Sequence, residues 1–422
     1  MRKALLSLLL FVLLLSLAGC GGKADSASSE KKGGDVVELT WQFWGGDADR
    51  KVWKEIANQV TEEYPNIKVK LQIDDWNTYW TKLKTQLASG TISDIVSIRS
   101  LEVPVYAEKG VFEPLNGFID SYPEVDIDDF NEGILKGMSY EDEIVALPYD
   151  FGAPTLYYNK DLFDKQNVPY PDENMTWDDF LDRAKKLTHP EDQEYGFVTS
   201  GSLWDAVPWI WQLGGDYVTE DGKYTLNEPE TVQAFEFLSD LVFKHKVSPS
   251  AEELSTSPAN ERWQAGKVAM IIDGPWSLVS YKKFNNFKFD VSTLPIAPTG
   301  ENVSLSAGSG FGVSAKSKHK EEAFKAISVI TSKENLAKLA EAGRAYPARD
   351  SAVVKFEESS GLEHVEMFKK QGDNSRPYKT TPKFTEAENI IKQDLESIFF
   401  GKSEVEPALN KIQEKLDNEI NK

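Results

Sequence analysis

A chain of 422 residues with 47 Lys and Arg against 68 Asp and Glu carries a net charge of −21, which argues against nucleic acid and anionic lipid surfaces as partners. Its single cysteine, Cys20, excludes a disulfide framework, so stability has to come from packing. Eleven Trp, 15 Tyr and 22 Phe serve core packing first, and leave room for stacking against sugar rings, whose C–H faces suit flat apolar surfaces.

Arg2 and Lys3 precede an apolar run from Ala4 to Ala18, which suits a signal-peptide core and falls short of the roughly 20 residues that span a bilayer. Leu17-Ala-Gly-Cys20 resembles the lipobox of bacterial lipoproteins. That resemblance implies a signal peptide over 1–19, cleavage before Cys20, diacylglycerol on its sulfur, and export. Two acyl chains hold a protein to a membrane where one is marginal. Removal of Arg2 and Lys3 takes the mature charge to −23. Residues 20–35 form the lipidated tether, since Gly21 to Gly34 is Gly, Ser and charge that cannot order itself by burial. No long apolar run recurs. About 385 residues remain, more than one core usually supports, so two domains are expected.

From there strands alternate with helices. Val36 to Trp44 is β-rich and ends at Gly45-Gly46; Asp47 then caps a helix with Val52, Ile56, Val60 and Tyr64 four apart. Val69 to Ile73 alternates as a strand, and a helix bearing Tyr79, Leu83 and Leu87 stops near Gly90. Ile92 to Ile98 reads as a buried strand and Glu143 to Pro148 as another. This rhythm predicts a largely parallel sheet covered by helices. After Pro154 come a strand at Leu156–Tyr158, a helix capped by Asn159, and a capping-box pattern at Thr176-Trp-Asp-Asp179. Helices at Leu203–Leu213 and Pro229–His245 precede strands at Val268–Ile272, Phe289–Leu294 and Phe311–Val313. Helices close the chain at Glu321–Thr331, Glu334–Ala342, Thr385–Phe399 and Pro407–Ile420. No repeat of 20–50 residues is present.

Enzyme motifs are mostly absent. Gly308-Ser-Gly310-Phe-Gly312 lacks G-x-G-x-x-G spacing and opens no helix. The four histidines (His189, His245, His319, His364) are scattered and Cys20 is committed to lipid, so neither a transition-metal site nor a Cys/His nucleophile is expected. Asp74-Asp75 and Asp126-Ile-Asp128-Asp129 lack the Gly and terminal Glu of an EF-hand and read as solvated loop acids. No cofactor is expected. A carboxylate pair for glycoside hydrolysis stays open, because an acidic chain offers many pairs.

Trp41-Gln-Phe-Trp-Gly-Gly46, Ser93-Asp-Ile-Val96, Ala146-Leu-Pro-Tyr-Asp150, Tyr157-Tyr-Asn-Lys-Asp161, Gly266-Lys-Val-Ala-Met270, Gly274-Pro-Trp276, Leu294-Pro295 and Ser309-Gly-Phe-Gly312 follow in order. Together they resemble the extracellular solute-binding proteins of carbohydrate ABC transporters, the broad group that includes the maltose-binding protein. The similarity runs from about Leu39 to Ile420. It implies an α/β, two-lobed periplasmic-binding-protein-like fold (type II), with the ligand cleft between lobes that close by hinge motion. Crossings are expected near Pro148–Pro154, Val291–Pro295 and Ser332–Asn335. The first lobe is then 36–150 and 295–332, and the second 154–291 and 335–422.

The resemblance carries ligand contacts onto particular positions. Trp276 offers a stacking face, against the alternative of a core Trp, and Trp204 matches a position that often stacks on sugar. Asp150 can accept from two hydroxyls or simply cap a turn. Trp44, Asp47 and Arg99 lie at carboxyl ends of strands, where open α/β sheets bind ligands. Gly310 lets a sugar approach the backbone. Arg344, Tyr346 and Phe384 belong to a late segment that adds contacts in relatives. Where the maltose binder has an aromatic ending its third strand, this chain has Ile98 and Arg99, so specificity cannot be copied.

The implied function is a monomeric, lipid-anchored binding protein, not an enzyme, on the outer face of the bacterial cytoplasmic membrane. It hands a neutral sugar, an oligosaccharide first and a monosaccharide or sugar alcohol as the open alternative, to ABC permease subunits. The membrane is reached only through the Cys20 lipid, and no nucleic acid is involved. Two alternatives stand: a secreted glycoside hydrolase, and a binder of cationic solutes such as polyamines, suggested by the −23 charge.

Overall fold

The computed structural model describes residues 36–422 apart from the side chains of 47–49; the signal, Cys20 and tether expectations lie outside the described residues. Nine strands form two sheets: β1 (Val37–Trp44), β2 (Ile67–Asp74), β3 (Ile95–Arg99), β4 (Leu147–Gly152), β5 (Thr155–Asn159), β6 (Met270–Asp273), β7 (Phe289–Ser292), β8 (Ser304–Val313) and β9 (Ser375–Pro377). The first sheet runs β9-β8-β3-β1-β2, with β4 also paired to β8. The second runs β6-β5-β7.

The β1–β3 region is the parallel βαβαβ unit that the alternation predicts, with β1 between β2 and β3. Leu39, Trp41 and Phe43 face one way, yet Gln42 and Trp44 are buried too, because helices cover both faces. The helix Trp76–Ser89 starts where Asp75 accepts from the Thr78 amide and stops at Gly90, whose φ of 72° a side chain would resist. Asp94 of the Ser-Asp-Ile-Val motif is structural: it accepts from the Thr40 amide (2.9 Å) and the hydroxyls of Thr40 (2.8 Å) and Ser317 (2.7 Å).

The largely parallel expectation ends at β3. Strand β8 runs antiparallel to both β3 and β4, and the second sheet is antiparallel throughout. Strand β4 leads into β5 through Ala153 and Pro154 alone, which carries the chain straight from the first sheet into the second. One face of the second sheet (Tyr157, Ile271, Val291) packs with Trp263, Tyr281 and Phe368, while the other (Leu156, Tyr158, Met270) joins the main core.

Several elements differ from their sequence outline. The expected strand Glu143–Pro148 divides, because Glu141 and Asp142 adopt positive φ (49° and 65°) and fold 139–144 into a tight hairpin before β4. Strand β8 begins seven residues before the expected Phe311, since its Ser and Gly residues disguise a buried strand as a loop. Helices Val353–Ser360 and Glu366–Asp373 occupy a stretch that carried no assignment. Strand β9 adds 375–377 to the first sheet, although the division drawn at 335 gave 335–422 to the second lobe. The first half of β8 needs a partner for its backbone groups there. Helices Phe384–Phe399 and Val405–Glu419 pack on each other as their apolar spacing predicts.

Gly310 is a correction. Its missing side chain admits the protein's own backbone and not a sugar: a Cβ there would lie 2.7 Å from the Leu147 carbonyl oxygen of β4. Gly310→Ala is expected to cost about 1–3 kcal/mol through overpacking. Urea unfolding reads this as an earlier midpoint, and an unmoved midpoint would show that β4 and β8 can part freely.

Candidate functional site

A cavity of about 600 Å³ opens between the two sheets. Trp44, Arg99 and Asp273 end β1, β3 and β6 on its wall, so it sits beyond carboxyl ends of strands. From the first sheet and its loops come Trp44, Gly45, Trp76, Arg99, Leu101, Tyr149, Asp150 and Ala307–Ser309. Trp204, Asp273, Trp276, Val279 and Ser280 face them, with Arg344 completing the wall.

Most of the 11 tryptophans are core, but Trp76, Trp80, Trp204 and Trp276 keep open surface, and three of these four line this cavity. Trp276 is placed by Gly274, where a Cβ would fall 2.2 Å from its indole. The Gly-Pro-Trp sequence thus folds the ring back over its own backbone and keeps it half-buried at the cleft, outside the core. Trp204 enters on the helix Leu203–Gln212, which Ser202 caps, and leans on Tyr378 with centroids 5.2 Å apart. Trp44 is 8 % exposed and serves mainly as backing, with its ring 5.3 Å from Trp76 and 5.1 Å from Tyr79.

Charge in the cavity is balanced. Asp150 is buried and accepts from the Ser309 amide at 2.5 Å; burial pushes its carboxyl up to about 6, against the pull of the Arg344 guanidinium and the Ser309 amide. Burial also raises Asp273, which accepts from the Tyr281 hydroxyl (2.5 Å) and the Gly274 amide (2.7 Å). Arg99 pairs with Glu102, its Nε 2.9 Å from Oε2 and Nη2 bonded to Oε1. Arg344 is buried, with its guanidinium carbon 5.8 Å from the Tyr149 ring centre. The arrangement offers flat apolar faces and fixed hydrogen-bonding charges, which suits a polyhydroxylated ligand.

Trp44, Arg99, Asp150, Trp204, Trp276 and Arg344 therefore meet in one cavity. Gly310 lies inside the sheet, and the Asp47 side chain is outside the described residues. Tyr346 faces a different cavity of about 420 Å³, with Phe151, Pro275 and Phe368. Phe384 lines an annex of about 350 Å³ that shares Arg99, Leu101 and Trp204 with the main cavity. Trp76, Tyr149 and Asp273 escaped sequence reading. Asp273 and Trp76 are found by the same signal as Arg99, a strand end, because Trp76 follows Asp74-Asp75 at the end of β2.

Among the described residues, Asp290, Glu363 and His364 bring three potential metal-ligand atoms within 4.8 Å. Lys160 Nζ sits 2.7 Å from Glu363, and His364 Nδ1 2.8 Å from Asp290, so these side chains are already engaged with partners.

The family model described as "Bacterial extracellular solute-binding protein" matches residues 45–337. The galactooligosaccharide-binding protein of Bacillus subtilis (strain 168) is 22% identical, over 99% of this chain and 97% of that protein. An ABC substrate-binding protein of Listeria monocytogenes, solved in complex with cycloalternan, is 26% identical with a TM-score of 0.86, covering 91% of this chain and 99% of that one. Maltose-bound MalE3 of T. maritima is 25% identical with a TM-score of 0.78, over 91% and 100% of the two chains. The fold is the two-lobed, type II periplasmic-binding architecture.

Because the Asp150 carboxyl is raised when folded, its penalty is absent below about pH 4, grows between pH 4 and 6, and is complete above that. At full extent a shift of this size costs about 2–3 kcal/mol. Asp150→Asn is expected to gain stability over the native chain at pH 7 and to match it near pH 4. Urea midpoints at the two pH values check this; an equal difference at both would refute it.

Proposed function

The chain belongs to the bacterial extracellular solute-binding proteins, and on that premise we propose that it captures a neutral oligosaccharide outside the cell and delivers it to the membrane subunits of an ABC importer. It is a binding protein and not an enzyme, which sets aside the glycoside hydrolase. The observation that carries the sugar reading is the cavity wall: half-buried Trp204 and Trp276 beside Asp150, Asp273, Arg99 and Arg344. Apolar ring faces stack on indole, and charged groups take or give hydroxyl hydrogen bonds strongly. The two guanidinium groups disfavour a polyamine, whatever the overall charge. Relatives named for galactooligosaccharide and maltose point the same way.

The annex past Arg99, Leu101 and Trp204 supports a chain of several sugar units, since a single ring in the main cavity leaves it unfilled. We read Phe384 and Tyr378 as its contacts. The working form is a monomer tethered to the outer face of the cytoplasmic membrane through lipid on Cys20. A lone cysteine after an apolar leader supports that anchor.

Calorimetry with a panel of neutral oligosaccharides tests the site. Trp204→Ala and Trp276→Ala are each expected to raise Kd about 30-fold, the effect of losing roughly 2 kcal/mol at a hot spot. Urea midpoints should stay near the native value. A lowered midpoint with unchanged affinity would return either residue to the core. For the anchor, Cys20→Ala is expected to move the protein from membranes to the medium and to abolish labelled fatty-acid incorporation. A mutant that stays membrane-bound overturns lipidation at Cys20.

A further inference from the structure

We infer that Trp76 is a stacking platform for a sugar ring at the first-sheet side of the cleft, with its plane set by Arg99 as a positioning residue. This rests on the sugar-binding reading above. Trp76 is 43% exposed, unusual for an indole in a chain whose other tryptophans are mostly enclosed. Trp76 is also one of the residues that line the cavity. Leaving an aromatic of this size in water forgoes the burial energy its neighbours gain, unless a ligand covers it.

The ring is exposed but not loose. Trp44 meets it edge-on at 5.3 Å and 78°, and Trp80 at 5.6 Å and 70°. The Arg99 guanidinium carbon lies 4.7 Å from the Trp76 ring centre and 5.3 Å from that of Trp80, within cation–π range of both. Arg99 is itself fixed through two hydrogen bonds to Glu102, whose side chain is only 10% exposed. A planar fork held by two hydrogen bonds to one carboxylate has one orientation, and the indole packed against it inherits that orientation. Preorganised aromatic surface spares a ligand the entropy of ordering it. The docking residue comes from the start of the helix Trp76–Ser89, beside β3 and not on it. Arg99 is then assigned to hold the platform as well as to line the wall.

The test uses the soluble full mature chain, with maltotriose, cellotriose and raffinose as probes and intrinsic fluorescence or calorimetry as readout. The tightest probe is carried forward. Trp76→Ala is expected to raise Kd roughly 30-fold, with the urea midpoint unchanged, while Trp76→Phe keeps most of the affinity. Arg99→Lys is expected to weaken binding several-fold in the native background and to add nothing in the Trp76→Ala background, the non-additivity of residues that act as a unit. If the native chain binds a probe and Trp76→Ala binds it equally well, the platform is overturned while the sugar reading stands. If Arg99→Lys is fully additive with Trp76→Ala, the positioning role is overturned. If the native chain binds no probe, both this inference and the reading beneath it fail.

Discussion

Strand β8 holds the cleft together, and it does so through one residue. Ser309 faces Arg99 across the β3 ladder and Asp150 across the β4 ladder, and its amide donates to the Asp150 carboxylate at 2.5 Å. The β4 pairing shifts register at that point, between Ser309 and Gly310. Small residues make this possible. A Cβ on Gly308 or Gly310 would lie 2.3 Å from the Asp150 carbonyl or 2.7 Å from that of Leu147. All ten residues of β8 are buried, so neither neighbour can withdraw without exposing core. Two cleft residues from distant stretches of chain thereby share one rigid frame.

The late segment depends on a second buried anchor. Arg349 donates to the carbonyls of Thr331, Val125 and Asp126 and pairs with Asp129, with its guanidinium 3.8 Å above Phe130. A buried charge is tolerated here because every direction offers an acceptor. Five residues upstream, Arg344 reaches the cleft; three upstream, Tyr346 reaches the other cavity. The same division occurs along β4, where Asp150 faces the cleft and Phe151 its neighbour, and at Pro275 and Trp276. Along β4, alternation of extended backbone sends these consecutive side chains to opposite sides. The chain between the sheets therefore borders the cleft on one side and a separate cavity on the other.

The strong negative charge has little bearing on the cleft. Its acids stand against two guanidinium groups, and both cleft carboxyls are raised by burial. The acidic excess lies elsewhere on the chain. Local desolvation and pairing decide what a site prefers, and net charge does not report them.

The sequence by itself determined the elements and their caps. Hydrophobic spacing found most helices; Asn159, Thr176 and Gly90 were legible because capping is a local hydrogen-bond problem within a few residues. Trp44 and Arg99, at strand ends, and Asp150, at the first expected crossing, could be placed in a cleft because the fold family turns strand order into position. What needed the tertiary structure was every outcome set by distant chain. Gly310 looked like a ligand contact and is a packing gap for β4, because nothing local announces which backbone will approach it. Tyr346 and Arg344 sit two residues apart and face different cavities, which no local pattern announces. Trp76 was indistinguishable from the tryptophans of the core until Arg99 and the cavity were seen beside it. Periodicity and capping are short-range and written in neighbours; exposure of a single side chain is a sum over the whole fold.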